Sequence, residues 1–255
     1  SGTVKNFTVS NPATVFLQVD SCSFTNNSAD YGAALLIAHS MKISITNVSF
    51  LHNMAQYHGG CLYIQNIRYV EVLQCNFTAN IALSSGVFQL CAIFQVDIIS
   101  CKFLNNRDGV ISIIDSRRIK EIDLFFSYNT AKDDIGVCKI THSDYFVDNR
   151  SYFIKNESKI SLWILLHVEI VVVMQSHFIN NYGRGKGSAL QLTNCRNMTV
   201  IKISYVKNVA STSGGALYFN EVKNVRIIDC KLRNSYAHHE FGGAIYFSEG
   251  NSVEI

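Results

Sequence analysis

Charge is what this sequence has least of. Only 16% of its 255 residues are Asp, Glu, Lys or Arg, against about 25% in ordinary globular chains. Apolar residues make up 48%, so the chain is too hydrophobic to stay disordered, and Ser, Thr, Asn and Gln must cover its surface. The formal charge is +3, and no Lys/Arg run is longer than Arg117-Arg118. Nucleic acid is therefore not an expected partner. A membrane span is missing as well. The greasiest run, Ile160 to Met174, is interrupted by His167 and Glu169 and falls short of the ~20 residues a spanning helix needs; it reads as core strand. The cysteines at 22, 61, 75, 91, 101, 138, 195 and 230 include no Cys-x-x-Cys pair, so the usual zinc and redox signatures are absent and no cofactor is expected. The chain opens at Ser1 without Met or an apolar leader and is read as a mature product or a fragment.

What is present is a repeat. Phe-x-x-Asn occurs at Phe24–Asn27, Phe50–Asn53, Phe77–Asn80, Phe103–Asn106, Phe126–Asn129, Phe153–Asn156 and Phe178–Asn181, and continues as Tyr205–Asn208 and Leu232–Ser235. The successive spacings are 26, 27, 26, 23, 27, 25, 27 and 27 residues. A glycine motif keeps the same beat, starting at Gly32, Gly59, Gly86, Gly109, Gly136, Gly187, Gly214 and Gly242; in the gap between Gly136 and Gly187 stands "SLWIL", Ser161 to Leu165.

Inside the glycine motif the residues alternate. Leu35/Ile37, Leu62/Ile64, Phe88/Leu90, Ile111/Ile113, Cys138/Ile140, Leu162/Ile164, Leu190/Leu192, Leu217/Phe219 and Ile245/Phe247 are expected to face inward. Leu36, Tyr63, Gln89, Ser112, Lys139, Trp163, Gln191, Tyr218 and Tyr246 are expected to face out. Period two marks a half-buried strand. A second strand follows in each unit, as in "RYVEVLQCNF" from Arg68 to Phe77. Units of about 26 residues with no 3.6-residue period cannot be βαβ units, and each is too small to bury its own apolar face. They must stack, which gives an all-β parallel β-solenoid spanning residues 1–255 as one domain. Nine to ten coils at ~4.8 Å apiece make a rod on the order of 45 Å long. The repeated asparagines, Asn27, Asn53, Asn80, Asn106, Asn129, Asn156, Asn181 and Asn208, are expected to form a stacked amide ladder in left-handed turns. The phenylalanines are expected to stack beside it inside the rod.

Phe-x-x-Asn together with Gly-Gly-Ala-(Ile/Leu/Val), as in "GGALYF" and "GGAIYF", resembles the motif pair of the polymorphic outer-membrane proteins of chlamydiae. The coil is similar to that of pectate-lyase-like right-handed β-helices. The resemblance covers residues 24 to 247. It implies a right-handed single-stranded β-helix displayed outside a cell, as a passenger of a surface adhesin. The sequence departs from that family's pattern in that no C-terminal membrane barrel is read within its 255 residues.

Seven Asn-x-Ser/Thr sequons favour a eukaryotic secretory route and an extracellular or cell-surface place. Asn156 is expected to serve the ladder, whereas Asn76, Asn47, Asn26, Asn197, Asn6 and Asn149 are candidate glycan sites, with Asn76 the best. The outward aromatics Tyr63, Trp163, Tyr218 and Tyr246 are candidate binding residues that can stack on sugar rings or dock against another rod; simple cross-coil pairing is the plainer alternative. His58 and His238-His239 read as polar turn residues rather than metal ligands, for want of a third ligand in phase. Cys22, Cys75, Cys101 and Cys230 share one inward position. Only Cys75 and Cys101 fall in adjacent coils, so either a disulfide or buried free thiols is open there.

Catalysis of the polysaccharide lyase or hydrolase kind needs carboxylate clusters. "RIK" at Arg118 to Lys120 and "DD" at Asp133-Asp134 resemble polygalacturonase signatures but stand in the reverse order, and no Asp or Glu is seen to recur at one strand position in adjacent coils. The expectation is a non-enzymatic structural or adhesive surface element, with a polysaccharide-active enzyme as the alternative. Partners would be the chain itself, by end-to-end or lateral association, and glycans or other surface proteins. No cap is visible at either end, so the chain either continues or stacks into a fibre.

Overall fold

A computed structural model describes residues 16–132 and 136–255. Every strand pairing in it is parallel, and each strand pairs with its equivalent one repeat away: Phe50 opposite Phe77, Phe77 opposite Phe103, Phe103 opposite Phe126. The chain is a parallel β-solenoid of about nine turns. No helix among the described residues is long and apolar enough to cross a membrane.

Each coil is built from three strands. The first two share one large sheet. In some coils they run together as a 12-residue strand, Leu62–Leu73, Phe88–Ile99, Cys138–Asn149 and Trp163–Met174. These strands turn a corner at a single left-handed residue, Asn66, Ala92, His142 or His167. The third strand is three residues long, carries the aromatic, and belongs to a nine-stranded sheet running from Ser23–Thr25 to Lys231–Arg233. Very short strands after the asparagine, such as Ile81–Ala82 and Thr130–Ala131, close the outline.

The two ladders occupy the inside of one corner. Phe24, Phe50, Phe77, Phe103, Phe126, Phe153, Phe178 and Tyr205 stack in sequence with ring centroids 4.4–5.4 Å apart, the spacing that parallel strands impose. Beside them the asparagines interlock. Asn80 donates Nδ2–H to Oδ1 of Asn106 (3.1 Å) and to the Phe50 carbonyl (2.9 Å), while its own Oδ1 accepts both the backbone N–H (2.8 Å) and the Nδ2–H (3.1 Å) of Asn53. The same four bonds recur at Asn106, Asn129, Asn156 and Asn181. This is why the motif couples Phe to Asn: each amide ties down the carbonyl of the aromatic one coil back, and a buried amide is satisfied on every side.

Two sequence expectations need correction. The ladder asparagines are not the left-handed residues. That conformation falls one position earlier, at Asn26, His52, Ala79, Asn105, Tyr128, Lys155 and Asn180, so the turn is made before the ladder rather than by it. Trp163 does not face out. It pairs with Cys138 on one side and Leu190 on the other, is completely buried, and packs edge-on to Phe146 at 5.2 Å and against Phe153 at 4.9 Å. In the neighbouring coil on one side the inward residue lies two positions after the turn residue, as Cys138 follows Gly136. Ser161 stands in the glycine's place, so Trp163 and Leu165 point in, and Ile164, not Trp163, holds the outward place beside Lys139 and Gln191. Small Cys138 next door leaves room for the indole.

The glycines answer a steric demand. At Gly215 a Cβ would lie 2.0 Å from the Gly243 carbonyl oxygen and 2.6 Å from the Tyr236 backbone, and Gly214 before it has φ +64. No side chain fits the first place, and few tolerate the second.

Candidate functional surfaces

The outward row of the first strands, with Trp163 removed, runs Leu36, Tyr63, Gln89, Ser112, Lys139, Ile164, Gln191, Tyr218, Tyr246. Tyr218 stacks on Tyr246 at 5.2 Å with Lys186 Nζ 5.1 Å from its ring, and is only 6% exposed. Cross-coil pairing therefore accounts for both tyrosines. Tyr63 is half-buried at a cluster that the sequence did not announce: Tyr31 lies 6.0 Å from Tyr63 and 5.4 Å from Tyr57, and His58 sits among them. Tyr31 and Tyr57 are each more than 40% exposed. Burial lowers the His58 pKa, and its Nδ1 lies 2.8 Å from Ser85 Oγ.

Among the sequons, Asn76 is exposed between buried Cys75 and Phe77, and Asn26 and Asn47 are exposed at left-handed corners. Asn197 is half-buried and accepts a bond from Asn224 Nδ2 at 2.8 Å; Asn149 is half-buried with its Oδ1 enclosed. Asn156 is in the ladder and buried. Asn6 and the Asp133-Asp134 pair lie outside the described residues. The cysteines are free thiols, with Cys75 N–H 3.5 Å from Cys101 Sγ. Among the described residues no three His, Cys, Asp or Glu side chains gather as metal ligands.

The expectation that no carboxylates recur in adjacent coils is wrong twice. Glu71 stands opposite Asp97 on the outward face, and Glu121 stands opposite Asp148 on the inward face. Both pairs were readable, because Glu71 and Asp97 each lie six residues before Phe77 and Phe103, and Glu121 and Asp148 each lie five before Phe126 and Phe153.

The outward pair shares one hydroxyl: Tyr69 Oη is 2.7 Å from Asp97 Oδ2 and 3.3 Å from Glu71 Oε1. Ser44 Oγ donates to Glu71 Oε2 at 3.2 Å, and Gln95 Nε2 lies 3.3 Å from Asp97 Oδ2. Burial first, and then the Asp97 and Glu71 carboxylates, push the Tyr69 phenol above its ordinary range. Lys120 stands in register beyond Asp97, next to Arg118 beside Gln95. Two carboxylates one coil apart beside a cation are the components of glycoside chemistry, on a flat face open to solvent.

The inward pair cannot meet a substrate, since both residues are fully enclosed. Asp148 accepts hydroxyl protons from Ser151 and Ser176, whereas both Glu121 oxygens lack partners. Burial raises Asp148 to about 7 against the pull of the two serines, and burial together with the neighbouring Asp148 raises Glu121 well above the carboxylate range.

No known protein family, curated protein or solved structure matches this chain.

Proposed function

We propose that the chain is a non-enzymatic extracellular rod, a structural or adhesive surface element of the polymorphic outer-membrane type, glycosylated on its flanks. The observation that carries this reading is how the repeat is used. Its fixed residues, Asn, Phe and Gly, are consumed by interior ladders and tight turns, while the outward places vary freely from Leu36 to Lys139 to Tyr246. Such a sequence maintains a scaffold and leaves its faces to diversify. Exposed Asn26, Asn47 and Asn76 are compatible with glycans and a secretory route. Partners on this reading are surface glycans or proteins, and further copies of the chain associating end to end or laterally. Expression in secreting eukaryotic cells tests it: peptide mass mapping should find glycan on Asn76 and none on Asn156, and the purified rod should bind cell surfaces or self-associate without degrading polysaccharide.

A second reading, a polysaccharide-active enzyme, is favoured by the Glu71–Asp97 pair with Tyr69 between the carboxylates. In-register strands place equivalent residues ~4.8 Å apart, near the ~5–5.5 Å separation that retaining glycosidases use. Turnover of an acidic glycan, lost in Glu71→Gln or Asp97→Asn, would establish the enzyme and overturn the scaffold.

A further inference from the structure

Four arginines on this rod pair with carboxylates, and three of the others gather at one place. Arg150 pairs with Asp123, Arg184 with Glu157, Arg196 with Glu169 and Arg226 with Glu254, each across one coil. Among the described residues, Arg68, Arg107, Arg117, Arg118 and Arg233 have no such ion pair. Arg117 and Arg118 flank the Phe94 ring, and Arg68 lines the same groove. The flanking register sets Arg68, Phe94 and Arg117 opposite one another on three successive coils, and the Arg117 and Arg118 guanidiniums lie 5.7 and 5.9 Å from the Phe94 ring centre. Phe94 is 41% exposed. Ile67, Ala92, Ile93 and Asp115 complete a groove of about 470 Å³ that opens along the corner. Asp115, at the groove's edge, lies 3.5 Å from His142 Nδ1, so the lining sets the Arg68 and Arg117 guanidiniums against a single carboxylate.

We propose that this groove binds an acidic glycan laid along the rod axis, with a sugar ring on Phe94 and anionic groups on Arg68 and Arg117. The two guanidiniums are two coils apart, ~9.6 Å by strand spacing, about the length of one disaccharide. A chain with one carboxylate or sulfate per disaccharide meets both, and a planar guanidinium takes such a group in two parallel bonds. Other occupants fit less well. An extended peptide is held on β structure mainly by pairing with a free strand edge, and the strands here are already paired on both sides, Phe88–Ile99 with Leu62–Leu73 and with Arg118–Ile122. A nucleic acid carries a phosphate on every nucleotide, a denser charge than one groove with three arginines on a rod of net charge only +3 can match.

The proposal deepens the adhesive reading and rests on it. The test is titration of the intact chain with a hyaluronan hexasaccharide, an uncharged chitin hexamer and an oligoglutamate peptide, followed calorimetrically. Binding of the hyaluronan oligomer alone is expected. Arg68→Ala, Arg117→Ala and Phe94→Ala should each weaken it by roughly tenfold, and Arg150→Ala, which removes a paired arginine elsewhere, should leave it unchanged. Unaltered circular dichroism melts would show that the variants fold. No binding, equal binding of oligoglutamate, or binding that ignores Phe94→Ala would overturn the proposal. Loss of the groove leaves adhesion through another face intact. Shortened oligosaccharide in the titration mixture, by contrast, would overturn the non-enzymatic reading while leaving the groove in place.

Discussion

Raising the pH should loosen this rod from within, because its core holds two carboxyl groups where neighbouring coils hold Ile98 and Val173. An unfolded Asp titrates near 3.9, while buried Asp148 sits at about 7. The sign follows from linkage. Below pH 4 the group is protonated in both states and costs nothing. As the pH climbs from 4 towards 7 the unfolded chain ionises and the folded one does not, so stability is lost throughout that window. Three pH units at 1.36 kcal/mol each come to roughly 4 kcal/mol. Glu121, also raised, adds to the loss as the pH rises further. The charged and titratable neighbours, Asp123, Cys138 and Tyr205, supply no cation to offset it. For a chain of this size 1 kcal/mol moves the melting temperature by about 2–4 °C, so melts followed by circular dichroism should fall by several degrees between pH 5 and pH 9. The double variant Glu121→Ile, Asp148→Val gives these coils the residues of their neighbours. It should melt higher at pH 9, by an amount equivalent to about 1–4 kcal/mol, and lose most of the pH slope. A wild-type melt that is flat or rises over this range, or a double variant with the same slope, would refute the reasoning.

Three further outcomes follow from the packing. Asn129→Ala strips the Phe103 carbonyl and the Asn106 N–H of their partners inside the core and should cost roughly 2–5 kcal/mol in denaturant unfolding, while the exposed corner residue next to a ladder position, Asn105→Ala, should cost about 1 or less. Gly215→Ala drives a Cβ into backbone at 2.0 Å and should prevent folding or lower the melt steeply, whereas Gly243→Ala meets nothing within 4 Å and should change stability by no more than ~0.5 kcal/mol. Trp163, the one tryptophan, should emit at blue-shifted wavelengths and resist aqueous quenchers until the rod unfolds; emission typical of an exposed indole would return it to the outward row.

How much of this was legible in the sequence depends on what repeats. Phe-x-x-Asn fixed the coil length and put eight asparagines and their aromatics on the right ladder, because a stack makes the same demand at every coil. The left-handed corners left no such trace, since Ala79, Tyr128 and Lys155 all occupy one of them; backbone hydrogen bonding on both sides holds the turn whatever the side chain. Trp163 was misplaced because that coil lacks its glycine and the count into the strand lost its anchor. The carboxylate pairs were visible in phase with the phenylalanines but occur in only two coils apiece, below what a search for repetition detects. The Arg68–Phe94–Arg117 column was harder still. It exists only because the 12-residue strands absorb a corner and bring three unlike residues into line.

The account stands on one geometric claim, that equivalent residues climb a common axis by one strand spacing per coil. Pairs of spin labels on the outward face measure it directly, in a background where Cys22, Cys91 and Cys230, the thiols not fully buried, are replaced. Glu71→Cys should be combined in turn with Lys120→Cys, Val172→Cys and Arg226→Cys, which the register places two, four and six coils away. The predicted separations rise linearly, ~10, ~19 and ~29 Å before label length. Separations that fail to increase in that order, or that level off after the first pair, would contradict the solenoid and everything built on it.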